Sequence, residues 1–477
     1  MEYKKNQILT VTIEDIGNDG EGIGRCDGYI LFVKDAVCGD TVKARLTKVK
    51  KNYAYARLEE VITPSPNRVK EKCENHRRCG GCQIQTLAYE AQLAFKENKV
   101  RNDLMRIGDI SEDILDSAFE PVIGMDDPIR YRNKAQYPVG IDRDGNIVAG
   151  FYAGRTHSII PCTDCMLSPE ENSTILGIIL DHMKEYGIRP YDEVTGSGTV
   201  RHVLIRKGFT TGQIMVCLVI CHDMKRSQGH ERGRDPEAGG TGEYISGQDT
   251  LIKELCRLPG MTSICVSVNN EKTNVIMGGE IHVLWGSDTI KDVLLGMEFM
   301  ISPLSFYQVN PVMVEKLYST AIGYADLSGS EEVYDICCGI GTISLCMAGQ
   351  AKIVHGLEIV PEAIADAKKN AALNNITNAD FICAAAEEYL PKHKNEIKAD
   401  VIILDPPRKG MDEAALEVVA GAAPSRIVYV SCDSATLARD LKYLTAHGYG
   451  IKRIRCVDMF PHTVHVETAV LLQRSDA

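Results

Sequence analysis

The feature that most constrains this chain is the rhythm of its last third, where short, wholly apolar runs alternate with glycine turns and helical stretches. Val333-Tyr334-Asp335-Ile336 leads into a helix, Ile353 to Glu358 into another, and Asp400 to Leu404 and Arg426 to Val430 follow as further apolar runs. Strands are apolar on both faces where helices cover both sides of a parallel sheet. Residues 301–477 are therefore expected to form a doubly wound α/β domain with its ligand crevice at the carboxyl ends of the strands.

The other end of the chain reads differently. From Gln7 to Ile62, alternating runs such as Ile8 to Ile13 and Tyr29 to Val33 are broken by glycine turns, the pattern of a small β-barrel over residues 1–62. Between Thr41 and Arg57 stand Lys43, Arg45, Lys48, Lys50, Lys51 and Arg57, with Tyr53 and Tyr55 interleaved and no acid. Cations grip phosphates and aromatic faces stack bases, so this stretch reads as an RNA-contact strip. A solvated edge strand whose lysines discourage aggregation would look the same. Thr63-Pro64-Ser65-Pro66-Asn67 is a linker by composition. A central α+β domain over 63–300 follows, with a strand near Gln213 to Cys221, a helix near Ser173 to Tyr186 and a polar surface loop from Lys225 to Glu243.

Composition bounds the function. At roughly 150 residues per domain, 477 residues allow about three domains. A net charge of -12 argues against whole-surface attraction to phosphate, so any nucleic-acid site must be local. No apolar run reaches the roughly 18 residues of a membrane span, and Met1 to Lys5 opens with charge, which makes the cytoplasm the expected compartment and a membrane partner unexpected. Seventeen cysteines without a secretion signal should be reduced thiols.

Three of them crowd into ten residues as C-x5-C-x2-C: Cys73, Cys79 and Cys82, with Gly80-Gly81 letting the backbone wrap. A fourth ligand would come from Cys162 or Cys165. Four thiolates suit zinc or an iron-sulfur cluster, and the spacing points to a closed, structural centre.

Asp335-Ile336-Cys337-Cys338-Gly339-Ile340-Gly341-Thr342 follows a strand and precedes an apolar helix, and Glu358 ends the next strand. Glycines admit close approach of a ligand, and a carboxylate at the following strand end accepts both hydroxyls of a ribose. The turn lacks the G-x-G-x-x-G that cradles a pyrophosphate, which favours S-adenosylmethionine over NAD. Asp405-Pro406-Pro407-Arg408-Lys409-Gly410 follows a third strand, and Ile427 to Ser431 delivers Cys432 to the same sheet edge. Glu467 opens an apolar strand near the C-terminus. A thiol, a carboxylate and a methyl donor fit one reaction. Carbon 5 of uracil becomes nucleophilic once a thiolate adds to carbon 6, and a base must then remove the carbon-5 proton. Cys432 is the expected nucleophile and Glu467 the expected base.

Ser305-Phe306-Tyr307-Gln308-Val309-Asn310, Asp335 to Thr342, Asp405 to Gly410, Ser431-Cys432-Asp433 and His465-Val466-Glu467-Thr468 resemble the motifs of the RNA uracil-5-methyltransferase family. The N-terminal stretch resembles a TRAM domain, and the cysteine motif resembles the iron-sulfur motif of the 23S ribosomal RNA branch. The resemblance implies a Rossmann-like class I methyltransferase domain and 5-methyluridine formation in 23S ribosomal RNA, with a transfer RNA substrate or a non-catalytic RNA-binding assembly factor as alternatives. It implies S-adenosylmethionine held by Gln308, by the turn bearing Cys337, Gly339 and Thr342, and by Glu358 and Asp405. Asp405 would also face the base, with Phe306 packing near it. A 4Fe-4S cluster on Cys73, Cys79, Cys82 and Cys165 is implied, the family spacing favouring Cys165 over Cys162, and a monomer is expected. Cys337 departs from the family pattern, in which relatives carry Tyr or Phe.

Overall fold

The computed structural model describes residues 3–154, 156–221 and 243–475. The expected Lys225 to Glu243 loop lies outside them apart from its last residue. Contacts divide the chain into two compact units, Met1–Pro128 with Val312–Ala477, and Ile129–Pro311. No described helix is long and apolar enough to cross a membrane.

The first unit opens with a closed barrel of five strands, Ile8–Ile16, Gly22–Cys26, Tyr29–Lys34, Thr41–Val49 and Tyr53–Thr63. Their period-two alternation puts Val11, Ile13, Leu31, Val33, Val42, Ala44, Leu46 and Ala54 inside. On the outside Lys43 pairs with Glu60 at 2.8 Å, and Arg45 and Arg57 share Glu59 at 2.9 and 2.8 Å. Strand pairing thus supplies carboxylates to half of the basic strip, since Lys43 lies opposite Glu60 in the ladder. Lys48, Lys50 and Lys51 stay exposed at the end where Tyr53 and Tyr55 meet edge to face, with centroids 5.7 Å apart. The stretch after the barrel is pinned rather than loose. Buried Asp40 accepts from the Ser65 N–H at 2.8 Å and from Arg68 at 2.6 Å.

The same unit holds an eight-stranded sheet in the order Ala379–Cys383, Ile353–Glu358, Glu332–Ile336, Val401–Leu404, Arg426–Ser431, Glu467–Arg474, Tyr449–Val457, Phe119–Ile123. The first five run parallel, as their apolar runs imply, and Glu467–Arg474 runs antiparallel to both its neighbours. The core collects Ile336, Leu404, Tyr429, Leu437 and Val470 among others. Residues 63–128 join this unit because Phe119–Ile123 extends the sheet beside Tyr449–Val457 and helix Tyr89–Arg106 packs against helix Ser434–Ala446.

The second unit is a seven-stranded sheet in the order Glu280–Gly286, Met261–Val268, Ile214–Ile220, Val200–Lys207, Lys134–Ile141, Ile147–Tyr152, Ile159–Pro161, with helices Glu171–Glu185 and Gln248–Leu255 on its core. All seven residues of Ile214–Ile220 are buried, as a run with no polar side chain requires.

The segment between the last two strands of the first unit is tied down by one ion pair. Lys96 Nζ lies 2.5 Å from Asp458 Oδ1 with both side chains fully buried, and it donates to the Phe460 carbonyl at 3.0 Å. Tyr89 donates its hydroxyl to Asp458 at 2.9 Å, and Gln92 Oε1 accepts from the His462 N–H at 2.9 Å. Removing one partner strands a buried charge, at a cost of about 3–5 kcal/mol. Lys96→Met should lower the unfolding free energy by that amount, read as a lower urea midpoint with an unchanged denaturant slope, and adding Asp458→Leu should restore most of it. A loss below about 1 kcal/mol would mean that the pair is solvated.

Candidate active site

Four parallel strands end at one edge of the sheet of the first unit, and each delivers a functional group there. Glu332–Ile336 and Val401–Leu404 are neighbours at the switch point, from which the strand order proceeds outward in both directions. Past Ile336 the backbone enters the left-handed region at Cys337 (φ 72°), Gly339 (φ 57°) and Gly341 (φ 80°). A side chain at such an angle is strained, and here the strain is carried by a cysteine. The Cys337 and Cys338 N–H groups donate to the Leu357 carbonyl at 2.8 and 3.0 Å, which locks the turn against the next strand. Glu358, at the end of that strand, accepts from the Gly339 N–H at 3.1 Å and the Val360 N–H at 3.0 Å. Each of its oxygens keeps a second lone pair. Helix Thr342–Ala348 starts at the turn, and Thr342 Oγ1 lies 3.3 Å from the Tyr318 hydroxyl.

Asp405 and Cys432 follow Leu404 and Ser431. The loop after Asp405 is held from below: Asp440 accepts from the Met411 N–H at 2.8 Å and from Tyr429 at 2.6 Å. Only glycine fits position 410, where φ is 73° and a Cβ would stand 2.6 Å from both Arg439 Nη2 and Asp440 Oδ2. Asp433 caps helix Ser434–Ala446 by accepting from the Ala435 and Thr436 N–H groups at 3.1 and 2.9 Å, which turns the chain away just after Cys432. Glu467 arrives from the antiparallel strand. Ser431 pairs with Thr468 on the last rung of the ladder, so Cys432 leaves the sheet at the edge where Glu467 enters it, and the Glu467 carboxylate acts on the thiol.

The site concentrates buried negative charge. Burial, with Glu358 adding to it, pushes Asp335 up to about 6, against a 2.5 Å hydrogen bond from Ser344. Burial and then the Asp335 carboxylate push Asp405 up to about 7. Glu467, 4% exposed, rises to about 8 through burial and then Asp405. The Cys432 thiol rises to about 11 through burial, then Glu467, with Asp405 adding to the rise. Arg408 opposes the shifts of Glu467 and Cys432 alike, so its cation lies within reach of both. A cation, a buried acid that holds its proton near neutrality and a thiol are thereby gathered at one edge of the sheet.

The expected Cys337, Gly339, Thr342, Glu358, Asp405, Cys432 and Glu467 therefore lie together at this edge. Gln308 and Phe306 lie in the second unit, where the Gln308 carbonyl accepts from Asn133 Nδ2 at 2.8 Å and Phe306 is 71% exposed. Sequence reading left Asp335 without a role, yet its Oδ1 is buried without a hydrogen-bond partner while facing the charges above. An acid closing a buried strand just before a glycine turn was the available signal. Of the cysteine set, Cys73, Cys79 and Cys82 lie in the first unit and Cys162 and Cys165 in the second. The first three sit on a wrapped turn, with the His76 N–H donating to the Cys73 carbonyl and the Cys79 N–H to the Asn75 carbonyl. Soft thiolates suit an iron-sulfur centre, but among the described residues no three His, Cys, Asp or Glu side chains stand where they could hold a metal ion.

A doubly wound sheet with a glycine turn and a strand-end carboxylate at its switch point, joined to a five-stranded barrel, defines a class I methyltransferase with a TRAM domain. The TRAM domain family matches residues 3–58, and the tRNA (Uracil-5-)-methyltransferase family matches residues 288–475. An uncharacterized RNA methyltransferase of Listeria innocua is 44% identical over 470 residues, covering 98% of each chain. One of Halalkalibacterium halodurans is 45% identical over 471 residues, covering 98% of this chain and 97% of its own. The crystal structure of the Pyrococcus abyssi tRNA (uracil-54, C5)-methyltransferase in complex with S-adenosyl-L-homocysteine matches 97% of this chain and 99% of its own, at 26% identity and a TM-score of 0.74. The chain belongs to the S-adenosylmethionine-dependent RNA uracil-5-methyltransferase family.

The raised carboxyls make stability depend on pH. Glu467 has its folded value, about 8, above its ordinary 4.5, so folding takes up a proton between those values. Its contribution is complete below about 4.5 and is lost as pH rises through about 8, with Asp405 and Asp335 acting in the same direction. Glu467→Gln should match the wild type near pH 4 and exceed its unfolding free energy by at least about 1 kcal/mol at pH 8.5. Equal pH slopes for the two proteins would mean that Glu467 is ionised in the fold.

Proposed function

We propose that the protein methylates carbon 5 of a uridine in 23S ribosomal RNA through a transient bond between Cys432 and carbon 6. The observation that carries the reading is the delivery of Cys432, just past the end of Arg426–Ser431, and of Glu467, at the start of its antiparallel neighbour, to one edge of the sheet beside Asp405 and the glycine turn. Cys432 gives up its proton to solvent, helped by the Arg408 cation, and its thiolate adds to carbon 6 of the flipped base, so that the ring electrons collect as an enolate. S-adenosylmethionine, when bound, supplies the electrophilic methyl group that carbon 5 takes up. Cys337, Gly339 and Thr342, Glu358 and Asp405, with Gln308, are the residues assigned to hold it, and the left-handed turn at Cys337, Gly339 and Gly341 beside the strand-end Glu358 supports that assignment. Glu467, once ionised, takes the carbon-5 proton. The electron pair released re-forms the carbon 5–carbon 6 double bond and expels the Cys432 thiolate. Asp405 and Phe306 are assigned to the base, as an acceptor at the strand mouth and an exposed ring.

Glu467 must be ionised to act, so the release step should quicken as pH rises toward about 8. RNA carrying 5-fluorouridine at the target should form a covalent adduct with the wild type and none with Cys432→Ala. With unmodified RNA, Glu467→Gln should accumulate the methylated adduct, because the carbon-5 proton then has no acceptor. An adduct that persists in Cys432→Ala removes that residue as the nucleophile.

The RNA itself has two readings. The cysteine motif favours 23S ribosomal RNA, whereas the solved relative from Pyrococcus abyssi acts on transfer RNA. Mapping 5-methyluridine in both RNA pools, with and without the gene, decides between them. We also assign a 4Fe-4S cluster to Cys73, Cys79, Cys82 and Cys165, a reading supported by the thiol donor set and its spacing, and place the protein in the cytoplasm as a monomer. Anaerobically purified protein should contain about four irons and four sulfides per chain. Zinc alone would overturn the assignment.

A further inference from the structure

The second unit carries a group of cations that no carboxylate answers among the described residues. Strands Lys134–Ile141 and Val200–Lys207 pair antiparallel with Lys134 directly opposite Arg206. Opposed residues share a face, and like charges there repel. Arg206 is 2% exposed. Its Nη2 donates to the carbonyls of Ser305 and, at 3.4 Å, Pro303, while its Nε has no acceptor. Lys134 is half-buried and makes no hydrogen bond or ion pair among the described residues. Burial, then Arg206 and Arg132, depress its ammonium to about 8, so Arg132 lies close as well. The neighbouring acids are engaged elsewhere, Glu171 with Lys207 and Asp164 with Arg130, each at 2.5 Å.

This cluster borders the Ser305 to Asn310 motif. Asn133, between Arg132 and Lys134, donates its backbone N–H to the Val309 carbonyl at 2.8 Å and its side-chain amide to the Gln308 carbonyl, while its own Oδ1 is buried without a partner. Arg206 holds the carbonyl of Ser305, the residue before the exposed Phe306 ring. Cations that repel across a ladder destabilise the fold, and an anion placed between them reverses the sign of that interaction. Unpaired cations beside an exposed aromatic ring are the combination that holds a nucleic-acid backbone and stacks a base.

We propose that Lys134 and Arg132 grip a phosphodiester of the RNA substrate while Phe306 stacks an adjacent base, with Arg206 as a positioning residue that holds the Ser305 carbonyl. The proposal rests on the reading of the protein as an RNA methyltransferase and names the part of the second unit that holds the RNA.

The test is fluorescence anisotropy of the full chain with a labelled single-stranded oligouridylate about 12 nucleotides long, over a series of salt concentrations. Each lost phosphate contact lowers the slope of log affinity against log salt by about 0.7. Lys134→Gln should weaken binding several-fold and lower the slope by that amount, and Lys134→Arg should restore both. Phe306→Ala should weaken binding with the slope unchanged, as loss of stacking requires. Should Lys134→Gln fail to fold, Arg132→Gln reads the same slope. A slope equal to that of the wild type in a folded Lys134→Gln or Arg132→Gln overturns the phosphate site and leaves the methyltransferase reading intact. Weakened binding of S-adenosylhomocysteine with an unchanged RNA slope would assign the anion to the cofactor's carboxylate, which also overturns it. A wild type that binds no RNA removes the functional reading together with the site.

Discussion

The antiparallel pairing of Glu467–Arg474 with Arg426–Ser431 is the constraint on which the rest depends. A parallel sheet presents only strand ends at its carboxyl edge, so a thiol delivered there would face backbone and solvent. Running one strand the other way brings the first residue of that strand, Glu467, to the same edge, where Cys432 follows the last rung of Ser431 with Thr468. The two ends of that strand are secured separately. Tyr449–Val457 covers its far side, and Lys96 with Asp458 holds the segment that leads into it.

Crowding of acids at this edge has a chemical consequence. Asp335 raises Asp405, and Asp405 in turn raises Glu467, so ionisation of one carboxyl disfavours ionisation of the next. A carboxyl that is protonated near neutrality does not repel a nearby thiolate, yet it becomes a base once it ionises. Arg408, three residues past Asp405, carries the charge that eases ionisation of both Cys432 and Glu467. The cost of the arrangement is stability, because water is withheld from groups that prefer it.

Much of this was legible along the chain. The parallel strands announced themselves as continuous apolar runs, the barrel by its alternation and the glycine turn by its position after a strand. Positions 339 and 410 read as turns because a glycine there relieves a strain no other residue escapes. The cations of the basic strip were visible along the chain, but the acids of the next strand that pair with Lys43 and Arg45 become their neighbours only through the ladder, whereas Glu59 stands two residues from Arg57 on the same strand. Asp335 looked like one acid in a motif, and nothing local says that its Oδ1 is left buried without a partner.

By itself the sequence determined the elements and the chemical types at their ends, since periodicity, glycine placement and strand-end residues are local properties of neighbouring side chains. Tertiary structure alone decided which of those ends meet. Lys96 and Asp458, or Lys134 and Arg206, are unremarkable apart; their joint burial and the cost or use of it exist only after pairing. Proton affinities belong to the same class, because the field on a carboxyl is the sum over groups far away in the chain and close in space.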